Sequence, residues 1–305
     1  MKIKNLSFYF FLLFSTVVNA QFSTENIVSS TINPIDIHLA DLDNDGDMDI
    51  ISINLEIISS TSAISDLVWF ENTGGGTFST EKPIATHNGS LDDIYAADLD
   101  ADEDIDIIVS MSCSSPIDFC DEIVWFENTG IGSGIFSTPI VIYDKADAPR
   151  DIYVTDIIKD NRNDVLFIEE QRGRIGLCLN NGNGASFTTD FVYETDAIDN
   201  FNGLALEVAD LDGDGEKDII SASYGDDRIL WFRNLGGGDF STLNIIQDQS
   251  EITSEIHIAD LDGNGKVDDI LFSSFLRNSI DGKLGWYKND GSGVFQKTFC
   301  QPKML

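Results

Sequence analysis

The sequence predicts an all-β fold, a β-propeller of four-stranded antiparallel blades in five repeats, and three observations predict it. An acidic loop of nine residues recurs at Asp41, Asp98, Asp156, Asp210 and Asp260, roughly every 50 to 58 residues, which marks one supersecondary unit copied in tandem. Short apolar segments alternating with period two flank each loop, and that period belongs to strands. A Trp-Phe-x-Asn segment and a glycine-rich turn then come at a fixed place in each repeat. No stretch carries helical periodicity, so each repeat shares its core with its neighbours.

Before each loop stands a segment such as Asp36-Ile37-His38-Leu39-Ala40 or Asp93-Ile94-Tyr95-Ala96-Ala97, the first strand of its repeat. After each loop a second strand is rich in β-branched residues: Ile50-Ile51-Ser52-Ile53, Ile107-Ile108-Val109, Val165-Leu166-Phe167-Ile168, Ile219-Ile220 and Ile270-Leu271-Phe272. A third carries Trp69-Phe70-Glu71-Asn72, Trp125-Phe126-Glu127-Asn128, Trp231-Phe232-Arg233-Asn234 and Trp286-Tyr287-Lys288-Asn289, with Leu177-Cys178-Leu179-Asn180 as the worn copy. A fourth starts at Phe78-Ser79-Thr80, Phe136-Ser137-Thr138, Phe187-Thr188-Thr189 and Phe240-Ser241-Thr242. The repeats span about residues 35–87, 92–143, 150–195, 203–249 and 254–300, inside a domain of 22–300 with a tail of 301–305. One tryptophan per repeat at a fixed register reads as core between repeats. Phe22 to Val28 reads as a spare outer strand that completes the fifth repeat, with Val294 to Cys300 competing for the same edge.

The loops carry the chemistry. Asp41, Asp43, Asp45 and Asp49 offer carboxylates at positions 1, 3, 5 and 9, Asp47 a backbone carbonyl, and Gly46 the turn, an oxygen-ligand set suited to Ca²⁺. The fourth loop repeats this with Asp210, Asp212, Asp214, Gly215, Glu216 and Asp218. The fifth has Asp260, Asp262, Asn264, Gly265 and Lys266, then Asp268 and Asp269: spacing selects Asp268, alignment of the next strand Asp269. The second keeps Asp98, Asp100, Asp102, Asp104 and Asp106 but has Glu103 at the glycine position. In the third, Ile158 replaces the second carboxylate and Lys159 and Arg162 bring cations, so it is expected to be metal-free. About four Ca²⁺ ions are therefore expected, one for each of the other loops.

Taken together, the Phe-Ser-Thr strands, the Ala-Asp-Leu-Asp-x-Asp-Gly-x-x-Asp loops and the Trp-Phe-x-Asn strands resemble the FG-GAP/VCBS repeat family, whose repeats also form the heads of integrin α-subunits. The resemblance implies a calcium-binding propeller with a role in binding or adhesion. An EF-hand is excluded, since position 12 is Ser52, Val109, Ser221 or Leu271 in place of the bidentate Glu, and a strand comes next.

Residues 1–20 read as a cleaved signal peptide, with Lys2 and Lys4, an apolar run from Phe8 to Phe14 and a small-residue site at Val18-Asn19-Ala20. An exported protein without a membrane span is expected. The formal net charge of −35 disfavours nucleic acid and anionic membranes as partners. Cys113 and Cys120 are spaced to close a small disulfide loop, Cys178 reads as a buried free thiol, and Cys300 has no assigned partner.

No His-Glu-x-x-His, Gly-x-Ser-x-Gly, P-loop or Cys-x-x-Cys is present. The first strands align His38, Tyr95, Tyr153, Glu207 and His257 in one column, and Asp36, Asp93, Asp151, Ala205 and Glu255 in another, an acidic ring if those strands line a channel. The expectation is a secreted, non-catalytic module recognising a protein or glycan. The alternative is an extracellular polysaccharide-degrading enzyme using two of the many carboxylates.

Overall fold

The computed structural model describes residues 27–30, 33–59, 62–113, 121–130, 134–182, 184–194, 203–223, 225, 227–247, 252–275 and 282–299. The signal-peptide expectation and the Cys113–Cys120 and Cys300 questions fall on residues 1–20, 114–120 and 300, outside this set. Residues 1–31 and 32–305 separate as two units. Of the first, residues 27–30 are described, and they lie in no strand.

The second unit is all-β. Its first sheet holds β1 (Pro34–Ala40), β2 (Asp49–Ser59), β3 (Ser62–Phe70) and β4 (Lys82–His87). The second holds β5 (Gly89–Ala97), β6 (Asp106–Cys113), β7 (Glu122–Phe126) and β8 (Ile140–Tyr143). The third holds β9 (Pro149–Thr155), β10 (Asp164–Glu169), β11 (Arg174–Asn180) and β12 (Phe187–Glu194). The fourth holds β13 (Gly203–Ala209), β14 (Asp218–Ser223), β15 (Arg228–Phe232) and β18 (Asn244–Gln247), with β16 (Asn234–Gly236) and β17 (Asp239–Phe240) as a separate ribbon. The fifth holds β19 (Ile252–Ala259), β20 (Asp269–Phe275), β21 (Gly282–Asn289) and β22 (Phe295–Phe299). Each four-stranded sheet is antiparallel with its strands in chain order, and in the fourth the β16–β17 ribbon stands between β15 and β18 along the chain. The acidic loop always joins the first strand to the second; in the first sheet Ala40 pairs with Asp49 across it.

The core lies between sheets. One cluster joins Ile51, Ile53, Leu67 and Trp69 of the first sheet to Leu91, Ile94, Ile107 and Phe126 of the second. Three further clusters join second to third, third to fourth and fourth to fifth. Burying a side chain such as Phe126 is worth roughly 1.5–3 kcal/mol, and because both faces of an inner sheet are covered, the central strands read as unbroken apolar runs.

Small polar links pin each sheet to the next. Asn128, Asn180, Asn234 and Asn289 donate from Nδ2 to the carbonyls of Leu42, Leu99, Ile157 and Leu211 in the preceding sheet, at 2.9, 2.8, 3.0 and 2.7 Å. Trp69 and Trp125 lie against Gly134 and Gly184 of the following sheet, and Trp231 against Gly293, where an added Cβ would collide with the indole. In the worn third copy Leu177 leaves a cavity of about 90 Å³ lined by Phe191, Gly238 and Phe240.

The closed β-propeller expected from the repeat is not formed. No sheet closes on itself, and among the described residues no core cluster or principal strand contact joins the fifth sheet to the first. The outer place of the fifth sheet is taken by β22, which pairs with β21. Ile27 and Val28 lie in no strand, and residues 22–26 are outside the described set. The repeat period encodes one sheet and its joint to the next, whereas closure depends on the wedge between sheets and on their number. No helix among the described residues is long and apolar enough to cross a membrane.

Candidate metal centres

All the acidic loops are folded by one scheme. The first carboxylate of each loop accepts backbone N–H bonds from within it: Asp41 from Asp45 and Gly46 at 3.1 and 3.0 Å, and Asp98, Asp156, Asp210 and Asp260 likewise. The fifth-position oxygen accepts from the N–H two residues on, as Asp45 does from Asp47 at 2.8 Å. The chain takes a left-handed turn at positions four and six: Asn44 and Gly46 in the first loop, Gly213 and Gly215 in the fourth. Glu103 holds that conformation at φ +74° without glycine.

The carboxylate that closes each loop is a buried structural anchor. Asp49, Asp106, Asp164, Asp218 and Asp269 are fully buried. Each accepts from the N–H of the second loop residue through one oxygen and from the N–H of the Trp-Phe-x-Asn asparagine through the other, as Asp106 does from Leu99 at 2.9 Å and Asn128 at 2.8 Å. Burial pushes Asp106 up to about 7, and Asp164 and Asp218 to about 6. In the fifth loop Asp269 fills this place and joins Asp260 and Asp262. Spacing had selected Asp268, whose carboxyl is instead buried with neither oxygen hydrogen-bonded.

Four loops gather three carboxylates with ligand oxygens within 4.8 Å of one another: Asp41, Asp43 and Asp45; Asp98, Asp100 and Asp106; Asp210, Asp212 and Asp218; Asp260, Asp262 and Asp269. These clusters can hold a metal ion. Of the remaining candidates, Asp102, Asp214 and Asn264 make the fifth-position turn bonds. At position seven, Asp104 accepts from Asn44 of the first loop at 2.6 Å, and Glu216 pairs with Lys159 of the third at 2.8 Å, so those side chains link neighbouring loops.

The third position separates the loops into two kinds. In the first two, one oxygen of Asp43 and one of Asp100 are buried without a hydrogen-bond partner, and an orphaned anionic oxygen in a cluster of carboxylates suits the role of a cation ligand. Burial, then Asp102 and Glu127, raise Asp100 to about 6; burial, then Asp49, Asp45 and Glu71, raise Asp43, with Glu71 itself paired to Lys82. In the fourth and fifth loops that place is already neutralised. Arg233 pairs with Asp212 and Asp214, and Lys288 reaches Asp262 at 2.7 Å. In the third loop, which has Ile158 at this position, Arg162 pairs with Asp160 and donates to the Asn180 carbonyl at 2.7 Å. Sequence reasoning missed this influence, although its signal was the x column of Trp-Phe-x-Asn: Glu71, Glu127, Leu179, Arg233, Lys288.

The acidic column has a structural role. Asp36, Asp93 and Asp151 accept from the backbone N–H of Ile94, Ile152 and Leu206 in the following sheet, at 3.0, 2.7 and 2.6 Å. Each thereby satisfies a donor on the free edge of an inner strand. Beside it, His38, Tyr95 and Tyr153 form a row of mutually tilted rings with centroids 5.1 and 5.3 Å apart, and His257 contacts Glu207 at 3.0 Å. Cys178 is buried and free, and burial pushes its thiol up to about 12.

Fold and loops together define an all-β tandem-repeat protein with acid clusters on its first hairpins. The model of the FG-GAP-like repeat matches residues 54–109, 156–221 and 210–272, and the chain belongs to that family. No curated protein matches it. Among solved structures it is similar to an Agrocybe aegerita lectin, described by its specific recognition of non-reducing terminal N-acetylglucosamine, with a TM-score of 0.57 and 19% identity over 86% of this chain and 65% of the lectin. It thus spans just under two thirds of the lectin's length. A K499G mutant of NanB sialidase from Streptococcus pneumoniae aligns at a TM-score of 0.47 and 11% identity over 70% of this chain and 33% of that one.

Proposed function

We propose that the protein is a secreted, calcium-stabilised binding module without catalytic activity, recognising an extracellular glycan or protein. The observation that carries the calcium reading is the pair of orphaned carboxylate oxygens, Asp43 and Asp100, inside clusters in which Asp41, Asp98 and Asp106 are held by backbone N–H groups. Asp41, Asp43 and Asp45, and Asp98, Asp100 and Asp106, would hold the ions with least competition. Bound Ca²⁺ supplies fixed positive charge that lets the carboxylates converge, and the rigid loops it makes present a surface. The lectin-like fold supports a glycan ligand.

Thermal unfolding with excess Ca²⁺ and with chelator tests the metal. At a hundredfold excess over Kd each filled site adds roughly 2.7 kcal/mol, so the melting temperature should fall on chelation; an unchanged value rejects the calcium reading. A glycan array, with terminal N-acetylglucosamine among its probes, tests the ligand class, and a parallel polysaccharide-degradation assay tests the absence of catalysis.

A further inference from the structure

We propose that the two exposed ends of the array, the outer faces of the first and fifth sheets, are complementary halves of one joint, and that a second copy of this chain docks its first sheet onto the fifth. Four internal joints show what such a joint contains. The preceding sheet gives the carbonyl of its second loop residue, a tryptophan ring in all but the third joint, where Leu177 stands, and, in the first three joints, an acid from its first strand. The following sheet gives an asparagine amide, usually a glycine two places before its Phe, and an apolar residue with a free backbone N–H.

The first sheet shows the receiving half unfilled. Ile37, equivalent to Ile94, Ile152, Leu206 and Ile256, is 63% exposed where those four are 4% or less. Its N–H turns back to its own Asp36 at 2.8 Å, while Ile94, Ile152 and Leu206 donate to the preceding sheet. Among the described residues the Asn72 side-chain amide donates only to the Met48 carbonyl of its own loop, at 3.1 Å. A Cβ built on Gly76, equivalent to Gly134 and Gly293, meets nothing within 4 Å.

The fifth sheet shows the giving half. Leu261, equivalent to Leu42, Leu99, Ile157 and Leu211, is 41% exposed where those are 1% or less. Trp286 sits in the tryptophan column, with no glycine against it among the described residues, and Glu255 stands in the acid column. The missing partners therefore match one for one: Glu255 with the Ile37 N–H, the Leu261 carbonyl with Asn72, Trp286 with Gly76. Within one chain, among the described residues, no core cluster or principal strand contact joins these groups. The contact is heterologous, first sheet to fifth, and so builds a closed ring of copies or an extended chain.

Sedimentation velocity of the calcium-loaded full chain over a concentration series reads the association. Ile37→Glu and Leu261→Glu alter surface positions, so both should fold, and each should weaken association at least about tenfold. Mixing a Gly76→Cys protein with a Trp286→Cys protein should give a disulfide-linked heterodimer. The proposal is overturned by a wild type that stays monomeric at every concentration, or by association indifferent to both charge substitutions. It is equally overturned if a chain carrying both cysteines cross-links only within itself, which would mean that the ends close on themselves.

Discussion

The Arg233 guanidinium donates to Asp214 Oδ2 at 2.9 Å across the fourth acidic loop, and it also pairs with Asp212. A built-in cation thus sits where a metal ion would be drawn. The backbone N–H of Glu216, then Arg233, hold Asp214 below the usual carboxylate range. Arg233→Gln should raise the Ca²⁺ affinity of this loop about three- to tenfold. Calorimetric titration checks it, with the first loop as internal reference; unchanged affinity would show that the ion and the guanidinium do not compete.

Leu177 occupies the tryptophan column, and the cavity of about 90 Å³ beside it lies between the third and fourth sheets. Leu177→Trp should fill that space against Gly238, as Trp69 lies against Gly134. Cavity terms run near 24 cal/mol per Å³, so the gain should be about 1 kcal/mol once the cavity's open side is allowed for. Urea unfolding measures it, and a loss of stability would mean that Phe191 blocks the indole.

Asp93 and Asp151 face one another between the inner strands of the second and third sheets. Burial raises both, Asp151 to about 7. A carboxyl raised in the folded state favours folding while protonated. Its contribution is therefore present below the unfolded value near 4 and lost as pH rises through about 7. Asp151→Asn keeps an oxygen to accept from Leu206 and removes the charge. The variant should be more stable than the wild type at pH 8, by on the order of 1–2 kcal/mol of unfolding free energy, and match it near pH 4; parallel pH profiles would exclude the pair as the source.

Glu103 adopts φ +74° at the turn position that glycine fills in the first, fourth and fifth loops. Glu103→Gly relieves left-handed strain worth roughly 1–2 kcal/mol and adds back some chain entropy. The net gain should be about 0.5–1 kcal/mol in the presence of chelator, read from the unfolding midpoint.

How much was legible depends on the range over which each feature is decided. The five sheets, their hairpins and the acidic loops were readable because a two-residue alternation and a nine-residue loop are local patterns. Asp41, Asp98, Asp210 and Asp260 fold their own loops through bonds spanning five residues or fewer. Asp269 was open between two neighbours, because its choice rests on Asn289, twenty residues away in sequence. The acid column was visible but not its role, since Asp36, Asp93 and Asp151 bond to backbone in the next sheet.

The sequence by itself determined the unit: strand, acidic loop, strand, tryptophan strand, glycine turn, outer strand. Only the tertiary structure decided how many of these units meet face to face and what stands beside each loop. It placed Glu71 and Glu127 near two clusters and Arg233 and Lys288 against two others, and it left Ile37 and Leu261 bare at opposite ends. The physical reason is that a repeat carries both halves of its joint, whereas whether the last half finds the first is set by the accumulated angle between sheets, which no single repeat contains.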